Sequence, residues 1–358
     1  MFSNLFLKSF RILLLPLSLI YWLVIGIRNW LYDKKISRSS SFALPVICIG
    51  NLSVGGTGKS PMVEYMINSL RDRYPIATLS RGYKRRTKGY SLANAGTTAL
   101  DIGDEPMQFH TKFPDIPVAV GEERIVAIPL LLHDRPDTQV ILLDDAFQHR
   151  AIKAGLNILL TDYNNLFTRD FYLPTGDLRD LKSSYKRADI IVVTKCKPDL
   201  SRKEAYSIEE EIGLLKDQQL FFTCFSYGQP YHIATNIQQQ LTKETEVLLV
   251  AGIANPAPLK KMLEECSKTY YMSHFPDHHI FTIDDLKEIK KRFEKIETSN
   301  KIILTTEKDA MRLMKFKDEI RTLPLFVIPV KHRFLFDSGS VFDSTVTKFI
   351  ENFKSQEQ

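Results

Sequence analysis

A glycine-rich turn between an apolar segment and a helical pattern constrains the fold of this chain more than any other feature. The turn is Gly55-Gly56-Thr57-Gly58-Lys59-Ser60, which follows the apolar segment 44–49 and precedes a helical pattern that begins at Pro61. A strand, a glycine-rich turn and a helix in this order are typical of a phosphate-binding P-loop. Consecutive backbone N–H groups of such a loop converge on the phosphates, and the helix N-terminus adds unpaired donors. The sequence therefore predicts an α/β fold with a P-loop NTPase-like parallel sheet.

Each position of this turn has an expected role. The backbone of residues 55–58 supplies N–H donors, the Lys59 ammonium reaches the β- and γ-phosphates, and the Ser60 hydroxyl ligates Mg²⁺. The strict P-loop pattern has glycine five residues before Gly58, whereas this chain has Ser53. We expect the two extra glycines of the turn to supply the missing flexibility, and we expect a nucleoside triphosphate and Mg²⁺ as the bound species.

A second hydrophobic segment ends in two carboxylates. Residues 140–143 lead directly into Asp144 and Asp145, which is the layout of a strand whose acidic end holds the Mg²⁺ of a nucleotide. Adjacent side chains on a strand point to opposite faces. We therefore expect one of the two carboxylates to meet the metal and the other to orient a neighbour, and the sequence leaves both assignments open.

Three further polar segments each admit two interpretations. Gln148 and His149, just after the acidic pair, could orient nucleotide or substrate, or they could bond loop backbone. The basic loop that contains Arg81 could bind a phosphate of the substrate or form a solvated surface. Asp104 precedes an acid and a proline, which is also an ordinary start for a helix.

Histidines are concentrated near the C-terminal third of the chain. The segment His274-Phe275-Pro276-Asp277-His278-His279 holds three of the eight histidines. Adjacent histidines diverge in direction and no cysteine accompanies them, so a general base is favoured over a metal site. The run Thr194-Lys195-Cys196-Lys197 resembles a guanine-reading element but has lysine where the element needs aspartate, which disfavours a GTPase.

The N-terminal segment predicts a membrane-associating helix. The 16 residues from Ile12 to Ile27 carry no charge and are bounded by Arg11 and Arg28. As a helix the run is roughly 24 Å long, slightly short for a hydrocarbon core of about 30 Å. A spanning helix, an interfacial helix and a buried core helix are the alternatives, and the flanking cations and aromatic residues favour membrane contact.

Charge is distributed unevenly along the chain. The formal net charge is +6, and residues 1–38 hold six basic residues against one acidic residue. The remaining body is nearly neutral, which disfavours a nucleic-acid partner. The cations after the apolar run place the body on the cytoplasmic side of a membrane. The four cysteines form no Cys-x-x-Cys motif and receive no chemical role.

Apolar, β-branched segments alternate with helix-length segments, which indicates parallel sheets covered by helices. The first group of predicted strands is 44–49, 76–80, 117–120, 140–144, 157–161 and 189–194, and the second is 247–252, 269–273, 301–305 and 324–329. We therefore predict a membrane-associating helix with its basic flank (1–38), a P-loop kinase domain (39–228), a linker or hairpin (229–246) and a smaller C-terminal α/β lobe (247–358).

Taken in order, these segments resemble the tetraacyldisaccharide 4′-kinases of lipid A synthesis, over essentially the whole chain. The matching motifs are Gly50-Asn51 with Gly55-Gly56-Thr57-Gly58-Lys59, Ser80-Arg81-Gly82-Tyr83, Gly103-Asp104-Glu105-Pro106, Leu143-Asp144-Asp145 with Phe147-Gln148-His149, Leu173-Pro174 with Leu178-Arg179, Arg187-Ala188-Asp189, Phe275-Pro276-Asp277-His278-His279 and Leu304-Thr305-Thr306-Glu307-Lys308-Asp309.

The resemblance implies a reaction and further site residues. It implies transfer of the γ-phosphate of ATP, with Mg²⁺, to the 4′-hydroxyl of a lipid A disaccharide 1-phosphate at the inner membrane, without a stable protein partner. Asp104 then corresponds to the catalytic base, assisted by His278, and Arg179 lies in a segment that binds substrate together with Arg81, Gln148 and His149. Asp180 stands where the family often has glutamate. We expect Asp104 and His278 to come from different lobes that close on the substrate.

Two other classes of function compete with this interpretation. The first is a soluble P-loop kinase of a small metabolite, in which 12–27 is a core helix. The second is a membrane-tethered nucleotide switch that binds a protein partner and phosphorylates no acceptor. Vesicle flotation after deletion of residues 1–30 tests the first alternative, which unchanged flotation would favour, and the defective guanine-reading element weighs against the second.

Overall fold

The computed structural model of the chain describes residues 11–253, 255–277 and 279–355. Its strands are β1 (Val46–Asn51), β2 (Ile76–Ser80), β3 (Ser91–Leu92), β4 (Val118–Val120), β5 (Val140–Asp144), β6 (Leu156–Asp162), β7 (Ile190–Thr194), β8 (Gln219–Tyr227), β9 (Tyr231–His232), β10 (Glu246–Ala251), β11 (Thr269–His274), β12 (Lys301–Thr306), β13 (Leu325–Ile328) and β14 (Val330–Phe334). Its α-helices are α1 (Leu15–Asp33), α2 (Lys59–Leu70), α3 (Ala99–Ile102), α4 (Asp104–Lys112), α5 (Arg124–Asp134), α6 (Arg202–Ile212), α7 (Ala257–Cys266), α8 (Ile283–Glu294), α9 (Glu307–Leu313), α10 (Lys317–Ile320) and α11 (Gly339–Ser355).

The chain forms two units, and each predicted α/β lobe corresponds to one of them. The first unit holds residues 11–96, 113–225 and 332–355, and the second holds 97–112 and 226–331. The boundaries expected from the sequence differ from this division at three places. Residues 97–112, expected in the P-loop domain, belong to the second unit. Residues 229–246, expected to form a linker, also belong to the second unit, and residues 332–355, expected in the C-terminal lobe, belong to the first unit. Each segment belongs to the unit whose apolar surface it covers. This assignment depends on contacts between residues that are distant in the sequence, which local patterns do not reveal.

The first unit is built on a nine-stranded sheet. Its strand order is β14-β8-β7-β6-β1-β5-β2-β4-β3, and the strands from β8 to β4 pair in parallel. The central strands β1, β5 and β7 are buried along their whole length, as expected for Val- and Ile-rich strands covered on both faces. The α/β class and the parallel P-loop sheet predicted from the sequence are confirmed.

The order of the strands brings the polar motifs of the first unit to one edge. β1 lies between β5 and β6, and Ile49 of β1 is in register with Asp144 of β5. The carboxyl ends of neighbouring parallel strands meet at the same edge of a sheet, which is where open α/β sheets bind their ligands. The turn after β1 and the acidic end of β5 are therefore neighbours.

Helix α1 is held against the first unit by its polar residues. Ser18 Oγ donates to Thr175 Oγ1 at 2.7 Å, and Asn29 Nδ2 donates to Asp180 Oδ1 at 2.7 Å. Both Ser18 and Asn29 are buried, and Arg28 Nη2 donates to the carbonyl of Gln148 at 2.7 Å. The polar side chains of this otherwise apolar helix thus face the protein.

The apolar side chains of the same helix are exposed. Ile12–Asp33 is long and apolar enough to cross a membrane, and only 11% of its apolar window is buried. The exposed side chains include Leu17, Leu19, Ile20, Trp22, Leu23, Val24, Ile27 and Trp30. A core helix would bury these residues, so the interpretation of 12–27 as a core helix is wrong.

The second unit is built on a five-stranded sheet in the order β11-β10-β12-β13-β9. Its first four strands pair in parallel and β9 pairs in antiparallel fashion with β13. Helix α4 belongs to this unit because three ion pairs join it to α9: Asp104–Arg312, Glu105–Lys308 and Lys112–Glu307.

Candidate active site

The glycine-rich turn adopts the backbone that its sequence requires. Gly55 and Gly58 have φ angles of +101° and +86°, and Gly58 is the left-handed residue immediately before α2. A Cβ atom at Gly58 would lie 3.1 Å from atoms of both His332 and Phe225, so a side chain would be crowded there as well as strained by the positive φ. The turn therefore ends in a helix N-terminus, whose free N–H groups favour an anion.

The Lys59 side chain lies at the centre of a polar cluster in the first unit. Its Nζ atom is 3.2 Å from Asn51 Oδ1 and 3.6 Å from Asp145 Oδ1. Arg179 joins the same cluster through Asn51 Oδ1 at 2.6 Å and Asp145 Oδ2 at 3.1 Å. Two cations thus share two oxygen-bearing side chains directly beside the glycine-rich turn.

The charge balance of this cluster keeps Asp145 ionised. Burial by itself would raise the pKa of Asp145, but Lys59 and Arg179 outweigh it and lower this pKa to about 2. Asp145 follows β5 with a φ of +51°, which turns its carboxylate away from the direction of its neighbour. The expectation that Asp144 and Asp145 have different partners agrees with this geometry.

Asp144 is the buried member of the acidic pair. Ser80 Oγ, at the end of β2, donates to Asp144 Oδ2 at 3.4 Å. Arg124 is also buried; burial lowers the pKa of its guanidinium, and the carboxylates of Asp144 and Asp145 oppose that shift. The sequence analysis missed Arg124, which no motif marks.

The residues expected to hold Mg²⁺ have suitable chemistry. Mg²⁺ in nucleotide sites is bound through one or two protein oxygens, the phosphates and water, and does not need a dedicated protein cage. Ser60 is buried in the first turn of α2, and Asp144 lies on the strand paired with β1, so a hydroxyl and a carboxylate border the same turn. Within residues 11–253, 255–277 and 279–355, no three histidine, cysteine or acidic side chains form a metal-binding group.

Gln148 and His149 extend the cluster toward α1. Gln148 Nε2 donates to the carbonyl of Asn51 at 2.8 Å. Burial, and then the nearby guanidinium groups of Arg124, Arg28 and Arg81, lower the pKa of His149 to about 4. Among the described residues, Gln148 Oε1 and His149 Nε2 are buried without a hydrogen-bond partner. Buried polar atoms of this kind are expected where a polar ligand completes the bonding.

Arg81 and Asp180 occupy contrasting positions. Arg81 is exposed at the end of β2. Asp180 is 1% exposed and accepts hydrogen bonds from Asn29, Ser184 and Arg187. The carboxylate of Asp180 is thus committed to joining helix α1 to the loop before β7.

Asp104 belongs to the second unit and is fixed by an arginine. Arg312 Nε and Nη2 lie 2.8 Å and 2.7 Å from Asp104 Oδ2. Arg312 also contacts the buried Asp309, which accepts a bond from the backbone N–H of Gly252 at 2.9 Å. This network orients the Asp104 carboxylate at the start of α4.

The expected origin of Asp104 and the histidine in different lobes is wrong. Asp104 lies in the second unit, as does the segment 275–277 that precedes the histidine pair. The physical reason is the set of ion pairs between α4 and α9, which no local pattern reveals. His278 itself lies outside the described residues. Its neighbour His279 is bonded to Asp285 at 2.9 Å and stacked on Phe275.

The sequence patterns also failed to identify two residues that form hydrogen bonds with backbone carbonyls of the glycine-rich turn. Thr194 Oγ1 donates to the carbonyl of Thr57 at 2.8 Å, and His332 Nε2 lies 2.9 Å from the carbonyl of Gly58. Thr194 belongs to the incomplete guanine-reading run, and this resemblance to a nucleotide-binding element could have marked it as a site residue. No motif marks His332, which lies 274 residues after Gly58 on β14.

Comparisons with known proteins agree with this arrangement. Residues 10–351 match the sequence model of the family described as tetraacyldisaccharide-1-P 4′-kinase. The tetraacyldisaccharide 4′-kinase of Bacteroides thetaiotaomicron is 44% identical over 94% of this chain and 92% of its own length. The enzyme of the same name from Flavobacterium johnsoniae is 44% identical over 95% of this chain and 97% of its own length.

A solved structure extends the agreement to three dimensions. LpxK from Aquifex aeolicus, crystallised in complex with ATP, is 27% identical to this chain with a TM-score of 0.74. The similarity covers 95% of this chain and 99% of that one. Because the family match spans nearly the whole chain and includes the P-loop and the acidic strand end, the chain belongs to the tetraacyldisaccharide 4′-kinase family.

Proposed function

We propose that this protein transfers the γ-phosphate of ATP to the 4′-hydroxyl of a tetraacyldisaccharide 1-phosphate, which forms lipid IVA in lipid A synthesis. The observation that carries the proposal is the cluster of Lys59, Asp145, Arg179 and Asn51 directly beside a glycine-rich turn. Phosphoryl transfer depends mainly on positioning and on stabilising negative charge, and this cluster supplies both cations and a fixed geometry.

The first unit binds the nucleotide. The backbone N–H groups of Gly55, Gly56, Thr57 and Gly58 donate to the phosphates, together with the N-terminus of α2. Lys59 leaves its contacts with Asn51 and Asp145 to reach the β- and γ-phosphates. Its position 3.2 Å and 3.6 Å from these two side chains before nucleotide binding keeps the ammonium close to its site of action.

Ser60 and the acidic end of β5 would hold Mg²⁺. We assign the metal contact to Asp144, direct or through water, and the orientation of Lys59 and Arg179 to Asp145, because two cations already hold the Asp145 carboxylate. When bound, Mg²⁺ would neutralise charge on the β- and γ-phosphates. Both carboxylates border the turn, which is consistent with this division.

Asp104 acts as the general base. Its carboxylate accepts the proton of the 4′-hydroxyl while the sugar oxygen forms its bond to the γ-phosphorus and the bond to the bridging oxygen of ADP breaks. Arg312, at 2.7 Å, fixes the orientation of Asp104, and His278 assists this base.

Arginine and amide groups of the first unit bind the anionic sugar head. Gln148 Oε1 and His149 Nε2 are buried without hydrogen-bond partners in the described part of the chain, which supports a role in binding the hydroxyl groups of the sugar. Arg81 and Arg179 add positive charge for the phosphate groups. The low pKa of His149, about 4, keeps its imidazole neutral at physiological pH.

Helix α1 supports a location of the site at the membrane. Its apolar face is exposed while Ser18, Arg28 and Asn29 attach its polar face to the first unit. An exposed apolar face beside basic residues is typical of helices in the lipid interface. Because ATP and the excess of cations after α1 both belong to the cytoplasmic side, we place the catalytic body on the cytoplasmic face of the inner membrane. We propose no protein or nucleic-acid partner.

A direct assay tests this function. Purified protein in detergent is incubated with γ-labelled ATP, Mg²⁺ and a tetraacylated glucosamine disaccharide 1-phosphate. We expect label on the lipid for the wild type and for Lys203→Ala, a surface lysine of α6, and a loss of at least about 100-fold for Lys59→Ala. Absence of labelled lipid with the wild type would overturn the proposal. Label on a small soluble sugar instead would favour a metabolite kinase.

A further inference from the structure

Two side chains hold the backbone of the glycine-rich turn from the side of the sheet. Thr194 Oγ1, at the end of β7, donates to the Thr57 carbonyl at 2.8 Å and lies 3.2 Å from the Thr161 carbonyl. His332, on β14, has its Nε2 atom 2.9 Å from the Gly58 carbonyl. Both side chains are buried, and the two carbonyls they contact are consecutive in the chain.

The hydrogen bonds of His332 define its tautomer. A carbonyl can only accept, so Nε2 carries the proton that binds Gly58. The second ring nitrogen, Nδ1, lies 2.9 Å from Thr223 Oγ1 and accepts from this hydroxyl. Burial lowers the pKa of His332 to about 4, so the neutral ring with this bonding pattern is the form present near pH 7.

The ring is also fixed by packing. Phe225 contacts the His332 ring edge-on, with centroids 5.2 Å apart. A Cβ atom at Gly58 would lie 3.1 Å from both rings, so they fit closely against the turn. The Gly58 carbonyl additionally accepts from the backbone N–H of Met62 at 3.2 Å, in the first turn of α2. This carbonyl therefore has two donors and a single orientation.

The orientation of a carbonyl fixes the orientation of the next N–H group. In a trans peptide the C=O of one residue and the N–H of the next lie in one plane and point in opposite directions. Holding the Thr57 carbonyl toward Thr194 directs the Gly58 N–H away from it, and holding the Gly58 carbonyl toward His332 directs the Lys59 N–H away in the same manner. These are two of the backbone donors assigned to the phosphates.

We propose that Thr194 and His332 are positioning residues that orient the Gly58 and Lys59 N–H groups for the phosphates through the carbonyls of Thr57 and Gly58. The inference rests on the proposed binding of ATP by this turn. Preorganised donors need no rearrangement when the anion arrives, so their loss weakens binding of the nucleotide more than binding of the lipid. Neither residue contacts the reacting atoms.

Isosteric variants test this inference. Thr194→Val removes the hydroxyl and keeps the shape, whereas Thr194→Ser keeps the hydroxyl. His332→Leu removes the donor, whereas His332→Gln retains an N–H donor at the same reach. The dissociation constant of ATP is measured by calorimetry with Mg²⁺, the KM for the lipid acceptor by steady-state kinetics, and the Tm in the absence of nucleotide.

We expect Thr194→Val and His332→Leu to weaken ATP binding by about tenfold, with the KM for lipid changed less than about twofold. Thr194→Ser and His332→Gln should stay within about threefold of the wild type for ATP. Wild-type ATP affinity in folded Thr194→Val would overturn the inference while leaving the proposed function intact. Equal loss of ATP affinity in Thr194→Ser and Thr194→Val would also overturn it, because the hydroxyl would then be irrelevant.

Two further outcomes are separable. If the wild type itself does not bind ATP, the proposed function fails together with the inference. If His332→Leu does not fold, the Thr194 variants still test the inference, because valine keeps the branched shape of threonine and serine keeps its hydroxyl. A drop in Tm without a change in ATP affinity would assign both residues to stability alone and overturn the positioning role.

Discussion

Arg179 and Asp145 form a two-point ion pair at the base of the glycine-rich turn. Arg179 Nη1 lies 3.1 Å from Asp145 Oδ2, and Nη2 contacts the other oxygen of the same carboxylate. The backbone N–H of Arg179 donates to the carbonyl of Leu52, just after β1, at 2.8 Å. This backbone hydrogen bond anchors Arg179 beside β1, so its guanidinium lies next to the Lys59 ammonium. The planar guanidinium of arginine suits a two-point contact with a carboxylate.

The first prediction concerns this fork. Arg179→Ala removes both contacts with Asp145 and the contact with Asn51, and we expect kcat to fall about 100-fold. Arg179→Lys keeps the charge but loses the paired donors, so we expect it to recover only part of the activity. Steady-state kinetics of both variants check the prediction. Wild-type kcat in Arg179→Lys would show that charge alone is needed.

The second prediction separates two adjacent acids of α4. Asp104→Asn removes the proposed base, and we expect kcat to fall by about 10²- to 10⁴-fold with little change in ATP affinity. Glu105→Gln is the matched control, because Glu105 also forms an ion pair with a lysine of α9 but has no proposed role in the chemistry. Exposed ion pairs contribute little to stability, so the control should stay within about twofold of the wild type. Similar kcat values for the two variants would remove Asp104 from the chemistry.

The third prediction assigns the metal contact. We expect Asp144→Asn to raise the Mg²⁺ concentration for half-maximal rate by at least about tenfold, because the variant lacks the proposed carboxylate ligand. Asp145→Asn leaves Lys59 and Arg179 without their common counter-charge, and we expect a lower kcat with a smaller change in the Mg²⁺ requirement. Magnesium titrations at saturating ATP distinguish the two, and the reverse order would exchange the assignments. Removal of Mg²⁺ with a chelator should stop the wild-type reaction.

The fourth prediction concerns the exposed face of α1. Leu19→Glu with Leu23→Glu places two charges among side chains that are 58% and 54% exposed, and we expect this variant to lose flotation with anionic lipid vesicles. Val341→Glu is the control, since Val341 is an equally exposed apolar residue, 55%, on α11 in the same unit. Phosphorylation of a detergent-solubilised lipid should decline less than flotation. Unchanged flotation of the double variant would contradict membrane binding through α1.

The fifth prediction follows from the buried His332 and the half-buried His149. The pKa of His332 and that of His149 are each lowered to about 4, whereas an unfolded chain has a histidine pKa of about 6.5. Between these values the unfolded state binds protons that the native state does not. The native state therefore keeps its full stability above about pH 6.5, and the buried His332 makes it lose about 1.4 kcal/mol per pH unit as the pH falls toward 4. His149 acts in the same direction but contributes less, because solvent screens its half-exposed ring.

His332→Gln isolates one of these contributions. The difference in the free energy of unfolding between the wild type and His332→Gln should shrink by about 1.4 kcal/mol for each pH unit below about 6.5. Denaturant unfolding followed by circular dichroism at pH 7, 6 and 5 checks the slope. Parallel pH profiles for the two proteins would mean that His332 is protonated alike in the native and unfolded states.

Local patterns predicted much of the fold and of the nucleotide site. The run from Gly55 to Ser60 between a strand and a helix, and the carboxylates that end a buried strand, depend on neighbours in the chain, so periodicity and spacing reveal them. The same holds for α1, whose uncharged run is contiguous. Each of the ten predicted strands is present. Most of them are apolar and buried on both faces, which gives a strong signal, whereas β11 is largely exposed.

The predicted groups left out β3, β8, β9 and β14. β8 (Gln219–Tyr227) is a nine-residue inner strand that the groups missed although it is largely apolar. The other three have weaker signals, because β3 and β9 have two residues each and β14 lies at the edge of the nine-stranded sheet. Short or edge strands carry little of the apolar pattern on which such a prediction depends.

The sequence by itself determined which segment binds phosphate, which strand end carries the acids and which helix is apolar enough for a membrane. Only the tertiary structure decided that Asp104 joins the second unit, that Arg179 and Asp145 pair beside Lys59, and that His332 supports a carbonyl more than 270 positions before it. The physical reason is that ion pairs and buried hydrogen bonds between distant residues form only when the packing of apolar faces has set the strand order. A residue's local pattern records its own burial, but it does not identify the partner that satisfies its polar atoms.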